Sequence, residues 1–173
     1  IPGEYSLLAI GACAVDDPRR TFVCTFRPIT ERADPAALAV TGLSLAELAR
    51  TGESPETAMA QFAAWAESLA TPSETLVFVG FNAPFDWSFV NYYFHRFLGR
   101  NPFGFTALDI KAYYMGVVGC SWADTRSSRM AAMLGVSSVG DHTPLRDALV
   151  QAELFRAAHD RFRARAQSTG HPE

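Results

Sequence analysis

The sequence has 173 residues, which is enough for one domain with a substantial hydrophobic core but too few for two such domains. Hydrophobic residues make up 49% of the chain and charged residues 19%, a composition that is typical of a globular protein and excludes a disordered one. The formal net charge of −3 argues against binding a polyanion along an extended basic groove, so a nucleic-acid substrate would be held at one end with help from metal ions.

Cysteine usage and hydropathy indicate the cellular compartment in which the protein is expected. Cys13, Cys24 and Cys120 are an odd number of cysteines without a CxxC pair, which favours buried free thiols over a disulfide framework or a zinc site. Free thiols are typical of a reducing compartment, and we expect a cytoplasmic protein. No apolar run is long enough to span a membrane, so no membrane partner is expected.

The first half of the sequence predicts a β-hairpin followed by helices. An apolar run predicts the first strand, a turn follows at Asp16-Asp17-Pro18, and an alternating segment predicts the second strand. Ser54 is a typical helix cap, with Pro55 at the first helical position. The predicted elements are strands at 7–15 and 21–28, short helices at 36–40 and 45–49, and a longer helix from Ser54 onward.

The second half alternates strand and helix. Residues 75–80 are β-branched, aliphatic and aromatic and end in glycine, which predicts a buried strand. Residues 85–97 contain no glycine or proline and predict a helix. The later elements are a short strand at 105–108, helices at 110–117 and 127–134, a last helix from Thr143-Pro144 to about Arg165, and a polar tail over 166–173.

These elements predict one α/β domain, residues 1–173, with no internal repeat or linker. One strand is missing from this prediction. A lone two-stranded hairpin needs a further strand to join it to the strand at 75–80, and no segment of the sequence supplies one.

The predicted helix at 85–97 carries an unusual carboxylate. Asp86 shares a stripe with Val90, Tyr93 and Phe97, which is the face that a helix normally buries. An unpaired carboxylate on such a face costs several kcal/mol or retains its proton. We therefore expect a positive group opposite Asp86, and a carboxylate paired with an arginine is the simplest alternative to a functional role.

A second carboxylate lies near the start of the last helix. Asp147 shares an apolar stripe with Val150, Leu154 and Ala158, and His142 lies in the loop before that helix. An aspartate in a first helical turn is favoured by the helix dipole, and an isolated histidine is usually a surface or hydrogen-bonded residue, so neither residue alone establishes a site.

Taken together, the three residues predict a divalent-metal site. Mg²⁺ prefers carboxylate oxygens and retains several of its waters. Histidine can deprotonate such a water near neutral pH. Asp86 and Asp147 would supply the carboxylates and His142 the base.

These motifs resemble those of a known enzyme family. Residues 82–86 (Asn-Ala-Pro-Phe-Asp) and 142–147 (His-x4-Asp) are similar to the second and third motifs of the DEDDh 3′–5′ exonucleases, which include oligoribonuclease, RNase T and bacterial proofreading subunits. Residues 3–12 resemble the segment directly after the family's first motif, and residues 40–43 (Val-Thr-Gly-Leu) resemble the segment that lies against the terminal nucleotides. The similarity extends to about residue 158.

The resemblance implies a ribonuclease H-like fold, with a mixed five-stranded sheet flanked by helices. It implies hydrolysis of the terminal phosphodiester at the 3′ end of single-stranded RNA or DNA, with release of nucleoside 5′-monophosphates and two Mg²⁺ or Mn²⁺ ions as cofactors. Asp86 and Asp147 would bind the metals, His142 would be the general base, and Leu43, Asn82 and Phe85 would contact the substrate. It also suggests a homodimer.

One family motif is absent from the sequence. The Asp-x-Glu motif should lie on a first strand in the middle of the sheet, ahead of residues 3–12. Glu4 is a poor substitute because it follows a Pro-Gly turn. We therefore expect that the central strand is missing because the chain is clipped at its N-terminus, and that the chain without it has little activity.

Two alternatives to this enzyme remain open. A chain that lacks the first carboxylate pair would suit a non-catalytic nucleic-acid-binding module of the same fold. An unrelated small-molecule phosphohydrolase would use the same carboxylates on another substrate.

Overall fold

The computed structural model describes residues 1–137 and 139–168. This part of the chain contains four strands, seven α-helices and one 3-10 helix in α/β order. The strands are β1 (Ala9–Cys13), β2 (Thr21–Thr25), β3 (Phe78–Gly80) and β4 (Ala107–Asp109). The helices are α1 (Pro35–Thr41), α2 (Leu45–Thr51), α3 (Pro55–Glu67), α4 (Ala83–Leu98), α5 (Ile110–Val118), the 3-10 helix (Trp122–Thr125), α6 (Ser127–Leu134) and α7 (Pro144–Ser168).

The strands form two separate two-stranded sheets. β1 and β2 pair antiparallel, with Ile10 opposite Cys24. β3 and β4 pair parallel, with Gly80 opposite Asp109, and α4 connects them. Within the described residues each strand therefore pairs along one edge only, and the other edges of β1 and β3 carry unpaired main-chain groups.

The hairpin packs on α3 and α4 through an aromatic core. Phe26, Phe62, Tyr93 and Phe94 are at most 2% exposed. The Phe62 and Phe94 rings stack with their centroids 5.6 Å apart. The Tyr93 hydroxyl accepts a hydrogen bond from the Leu7 N–H at 2.8 Å, which ties the start of the hairpin to α4.

A second core joins α5, α6 and α7, and α7 also lies on β1. Its buried side chains are Ile110, Tyr114, Met130, Leu154 and Ala158. At the contact with β1, a Cβ added to Gly11 would lie 2.1 Å from the Pro144 carbonyl carbon. Only glycine permits so close an approach, so position 11 fixes where α7 begins relative to the hairpin.

The structure confirms the order of the predicted elements and corrects several bounds. The strands are shorter than predicted, and β3 and β4 each have three residues, all of which pair with each other. The segment between the predicted helices at 110–117 and 127–134 contains the 3-10 helix, which the sequence did not predict. Residues 166–168, predicted as polar tail, continue α7, whereas 169–173 lie outside the described residues.

The structure also bears on the predicted free thiols and on the predicted lack of a membrane span. Cys13, Cys24 and Cys120 are free thiols, of which Cys24 is buried and the other two are half-buried. Over residues 1–137 and 139–168, no helix combines the length and apolar character that crossing a membrane requires.

Candidate active site

The start of α4 is held in place by a carboxylate from the neighbouring strand. Asp109 Oδ2 accepts the Ala83 N–H at 2.7 Å, and Asp109 Oδ1 accepts the Ala112 N–H at 2.8 Å as the cap of α5. One side chain thus satisfies free donors at the first turns of two helices. Asn82, just before α4, adopts a left-handed conformation with φ 60°, which asparagine tolerates better than most residues.

Asp86 lies in the first turn of α4 and lines a cavity beside β3. The residue is exposed to solvent, although Val90 and Tyr93 on the same stripe are buried. The prediction that Asp86 itself would be buried is therefore wrong, because the first turn of α4 borders the cavity whereas the later turns enter the core. Protein surrounding the carboxyl in this concave site still raises the pKa of Asp86 above its ordinary value.

The described residues place no basic side chain opposite Asp86. Among residues 1–137 and 139–168, the ion pairs join Arg19 to Asp17, Arg32 to Glu4, Arg100 to Glu67 and Arg129 to Asp124. None of these pairs involves Asp86. Its carboxylate therefore lies in a partly desolvated site without a neutralising side chain from the described chain.

Asp147 lies in the first turn of α7 and lines the same cavity. The side chain is half-buried, and its stripe continues into Leu154 and Ala158, which are fully buried as the sequence predicted. A Cβ at Gly140 would lie 2.3 Å from Asp147 Oδ1. The backbone of the preceding loop therefore packs directly against this carboxylate, and a side chain at position 140 would displace the carboxylate.

His142 lies in that loop and is exposed. Its φ of 64° makes it, with Asn82, one of two non-glycine residues with positive φ in the described chain. The loop is held on both sides of His142, because the N–H and the hydroxyl of Thr143 both donate to Asp141 Oδ1, at 3.0 and 2.6 Å. The hydroxyl contact, followed by the backbone one, lowers the pKa of Asp141. His142 is not among the residues that line the cavity.

The cavity that contains both carboxylates has a volume of about 830 Å³. Residues of β1 and of β3 both line it, and each of these strands has an edge without a partner strand among the described residues. Apolar side chains from α3 and α4 complete much of the wall, including Phe62 and Phe89. The cavity therefore separates the two sheets at the place where the sequence lacked a joining strand.

The predicted substrate contacts lie in different places. Phe85 is 65% exposed, lines the cavity and contacts Phe89 with 5.6 Å between ring centroids. Asn82 is exposed, and its side chain makes no capping hydrogen bond. Leu43, in the link between α1 and α2, is half-buried and lies outside the cavity lining.

Sequence reasoning missed two residues that build the site. Asp109 fixes the start of α4, and only its position before a helical run indicated a cap. Gln151 accepts the Phe81 N–H at 2.9 Å and lines the cavity one turn after Asp147. The spacing of four residues from Asp147 was the available signal for Gln151.

Two side chains at the cavity are of the kind that binds hard metal ions. Within the described residues, no cluster of three or more His, Cys, Asp or Glu side chains is arranged to hold a metal ion. Asp86 and Asp147 are hard oxygen donors, and Mg²⁺ is commonly held by one or two carboxylates together with waters and substrate phosphates. The two carboxylates are therefore ligands of the type that Mg²⁺ prefers, but two residues are an incomplete set for two ions.

A comparison with characterised proteins identifies the family. No protein-family model matches the chain. The chain is 55% identical over 156 residues to the 3'-5' DNA exonuclease Cap18 of Escherichia coli, a match that covers 90% of this chain and 83% of that protein. The chain belongs to the DEDDh 3′–5′ exonucleases.

Solved structures of DEDDh exonucleases share the fold. The nuclease domain of 3'hExo, a DEDDh family member bound to rAMP, superposes with a TM-score of 0.63 at 15% identity, covering 98% of this chain and 96% of that one. A 3'-exonuclease that recognises the 3′ end of a histone mRNA stem-loop gives a TM-score of 0.66 at 15% identity; the match covers 92% of this chain and 65% of that one. The fold is therefore ribonuclease H-like, although a five-stranded sheet is not observed in the described residues.

Proposed function

We propose that the protein is a metal-dependent exonuclease that removes nucleotides from the 3′ end of single-stranded DNA. The observation that carries this proposal is that Asp86 and Asp147, from motifs far apart in the sequence, line one cavity in a member of an exonuclease family. The relative with 55% identity is described as a DNA exonuclease, which favours DNA over RNA.

Each residue has a role in the proposed reaction. Asp147 and Asp86 would hold two Mg²⁺ or Mn²⁺ ions, whose charge stabilises both the attacking and the departing oxygen. His142 accepts a proton from the water that attacks the terminal phosphorus. The bond between phosphorus and the 3′ oxygen breaks, which leaves a shortened strand with a 3′ hydroxyl and releases a nucleoside 5′-monophosphate. Phe85 and Asn82 would contact the terminal nucleotide, with Leu43 beside its base.

The proposed mechanism requires further carboxylates in the cavity. We propose that an extended strand of the same polypeptide, on the amino-terminal side of Ile1, occupies the cavity and carries the Asp-x-Glu motif of the family. The unpaired edges of β1 and β3 supply hydrogen-bonding partners for such a strand, and the apolar lining suits its side chains. This strand would join the two small sheets into one five-stranded sheet.

The first experiment compares the chain from Ile1 with a version extended by the residues encoded ahead of it. Both are incubated with 5′-labelled single-stranded DNA or RNA and with Mg²⁺ or Mn²⁺. We expect the extended protein to produce ladders shortened from the 3′ end, and the chain from Ile1 to be at least ~100-fold slower because it lacks half of the metal ligands. In the extended protein, Asp86→Asn and Asp147→Asn should each abolish the ladder. Equal activity of the two versions contradicts the role of the strand, whereas no ladder from either contradicts the proposed function.

His142 should affect turnover more than metal binding. In the extended protein, His142→Ala should lower kcat by about 10²- to 10⁴-fold while the Mg²⁺ concentration at half-maximal activity changes little, because a general base transfers a proton without ligating the metal. Replacement of His95, an exposed histidine in the last turn of α4, by alanine is the matched control and should leave kcat unchanged. Normal turnover of His142→Ala refutes its role as base.

A non-catalytic nucleic-acid-binding module is the second candidate. The observation that favours it is that, in the described part of the chain, the cavity contains only two of the family's four carboxylates. Binding of single-stranded DNA by the extended protein without any shortening would support this module. Hydrolysis of small phosphate esters without ladders would instead support a phosphohydrolase.

A further inference from the structure

An aromatic and cationic surface lies outside the lining of the cavity that contains Asp86 and Asp147. Lys111, which is the only lysine in the chain, places its Nζ 4.1 Å from the centroid of the Trp122 ring and 5.8 Å from that of the Phe81 ring. Trp122 is 53% exposed in the 3-10 helix, whereas Phe81 packs against the second core. We call Lys111 and Trp122 the tryptophan platform.

Two features distinguish the platform from an ordinary surface contact. In residues 1–137 and 139–168, every salt bridge uses an arginine, and Lys111 has no acidic partner. Lys111 also lies in the first turn of α5, where the helix dipole disfavours a positive side chain. A cation that is neither paired nor favoured by its helix would be stabilised by an anionic ligand.

The platform is connected to the candidate active site through short contacts. Asp109, two residues before Lys111, accepts the Ala83 N–H at the start of the helix that carries Asp86. Phe81, beneath Lys111, donates its N–H to Gln151, which lines the cavity with Asp86 and Asp147. The platform therefore has a fixed position relative to both carboxylates rather than lying on a separate flexible loop.

We propose that the tryptophan platform binds a nucleotide of the substrate strand on the 5′ side of the bond that is cut. A base stacks on the exposed surface of the Trp122 ring, and a neighbouring phosphate contacts the Lys111 ammonium. Aromatic stacking holds single strands without sequence preference, and a single cation suits a protein with a net charge of −3 better than an extended basic groove. This proposal rests on the proposed exonuclease function.

Binding measurements without catalysis test the platform directly. The extended protein is titrated into a fluorescein-labelled deoxythymidine oligonucleotide of about ten nucleotides in the presence of EDTA, and anisotropy gives Kd. We expect Trp122→Leu to raise Kd about tenfold, and Trp122→Phe to raise it much less because an aromatic face remains. Lys111→Gln should reduce the slope of log K against log salt by about 0.7, the value for one phosphate contact on a single strand, whereas Lys111→Arg should preserve the slope.

Arg96→Gln is the matched control. Arg96 is an exposed cation over the Tyr92 and Phe97 rings, about 15 Å further along α4 than Asp86. The variant removes the same charge from a comparable contact, and we expect Kd and salt slope to match the wild type. Thermal melting of each variant verifies that it folds.

The outcomes separate the platform from the proposed function. Wild-type affinity and salt slope in both Trp122→Leu and Lys111→Gln overturn the platform, as does failure of the wild type to bind the oligonucleotide. If the wild type binds through the platform but produces no ladder with Mg²⁺ or Mn²⁺, the platform stands only as a binding site for single-stranded DNA, and the exonuclease proposal fails. If ladders form and neither variant changes binding, the exonuclease proposal stands and the platform fails.

Discussion

The two ends of α4 have opposite surroundings. In its later turns, Tyr93 and Phe94 are fully buried, and the Tyr93 hydroxyl is hydrogen-bonded to the backbone of the hairpin. In its first turn, Asp86 and Phe85 face a cavity, and the Asp86 carboxylate has no cationic partner among the described residues. One helix thus contributes to a closed core at one end and to an incomplete site at the other.

The difference between the two ends of α4 shows which of its residues stabilise the fold and which do not. Apolar and aromatic residues at the later positions do what helix periodicity predicts, so they support the fold. A carboxylate on the same stripe contradicts that pattern, and such local contradictions are expected at functional sites. The contrast predicts that substitutions at the two ends of α4 will have opposite effects on stability.

We call the later turns of α4, with Tyr93 and Phe94, its closed end, and the first turn, with Phe85 and Asp86, its open end. The largest expected effect on stability is at the closed end. Phe94→Ala should lower the free energy of unfolding by about 3–5 kcal/mol, because it removes a fully buried ring that stacks on Phe62 and leaves a cavity. Phe85→Ala is the matched control on the same helix. Phe85 is 65% exposed, so its loss should change stability by no more than about 0.5 kcal/mol.

Urea denaturation of both variants measures this difference. Equal losses of stability for Phe94→Ala and Phe85→Ala would show that the two ends of α4 do not differ in packing. A large loss for Phe85→Ala alone would place the stabilising core at the cavity and reverse the comparison.

The closed end was largely predictable from the sequence. The spacing of Val90 and Tyr93 identified the buried face of α4, and Ser54 with Pro55 identified the start of α3. Local signals of this kind are sufficient because capping and periodicity act over a few residues. The strand lengths were less predictable, because β3 and β4 extend only as far as they pair with each other.

The site was predictable in its carboxylates but not in its surroundings. Asp86 and Asp147 were identified because a charge on an apolar stripe is conspicuous, and both line the cavity. The alternative of an arginine paired with Asp86 was wrong for the described residues, since periodicity places a residue on a face but does not show whether that face is covered. Gln151 was missed because its hydrogen bond to Phe81 spans elements far apart in the chain.

The smallest expected effect is a pH dependence at the open end. The surroundings of the cavity raise the pKa of Asp86 in the folded protein, so the folded state binds more protons than the unfolded state above the ordinary carboxyl pKa. The stability contributed by protonated Asp86 is therefore fully present at low pH and is lost as pH rises through the raised pKa. Asp86→Asn has no such titration, and in the presence of EDTA it should become progressively more stable than the wild type as pH increases.

Urea denaturation of the wild type and Asp86→Asn across a pH series measures this effect as a difference. The two free energies of unfolding are subtracted at each pH, because Glu67, Asp124 and Asp141 have lowered pKa values. These three groups make the stability of both proteins rise with pH, and their contribution cancels in the difference. Asp124→Asn is the matched control, and its deficit relative to the wild type should grow with pH, opposite in sign to Asp86→Asn. If Asp86→Asn instead loses stability relative to the wild type as pH rises, then the folded protein stabilises the ionised carboxylate, and the open end of α4 already contains a compensating group.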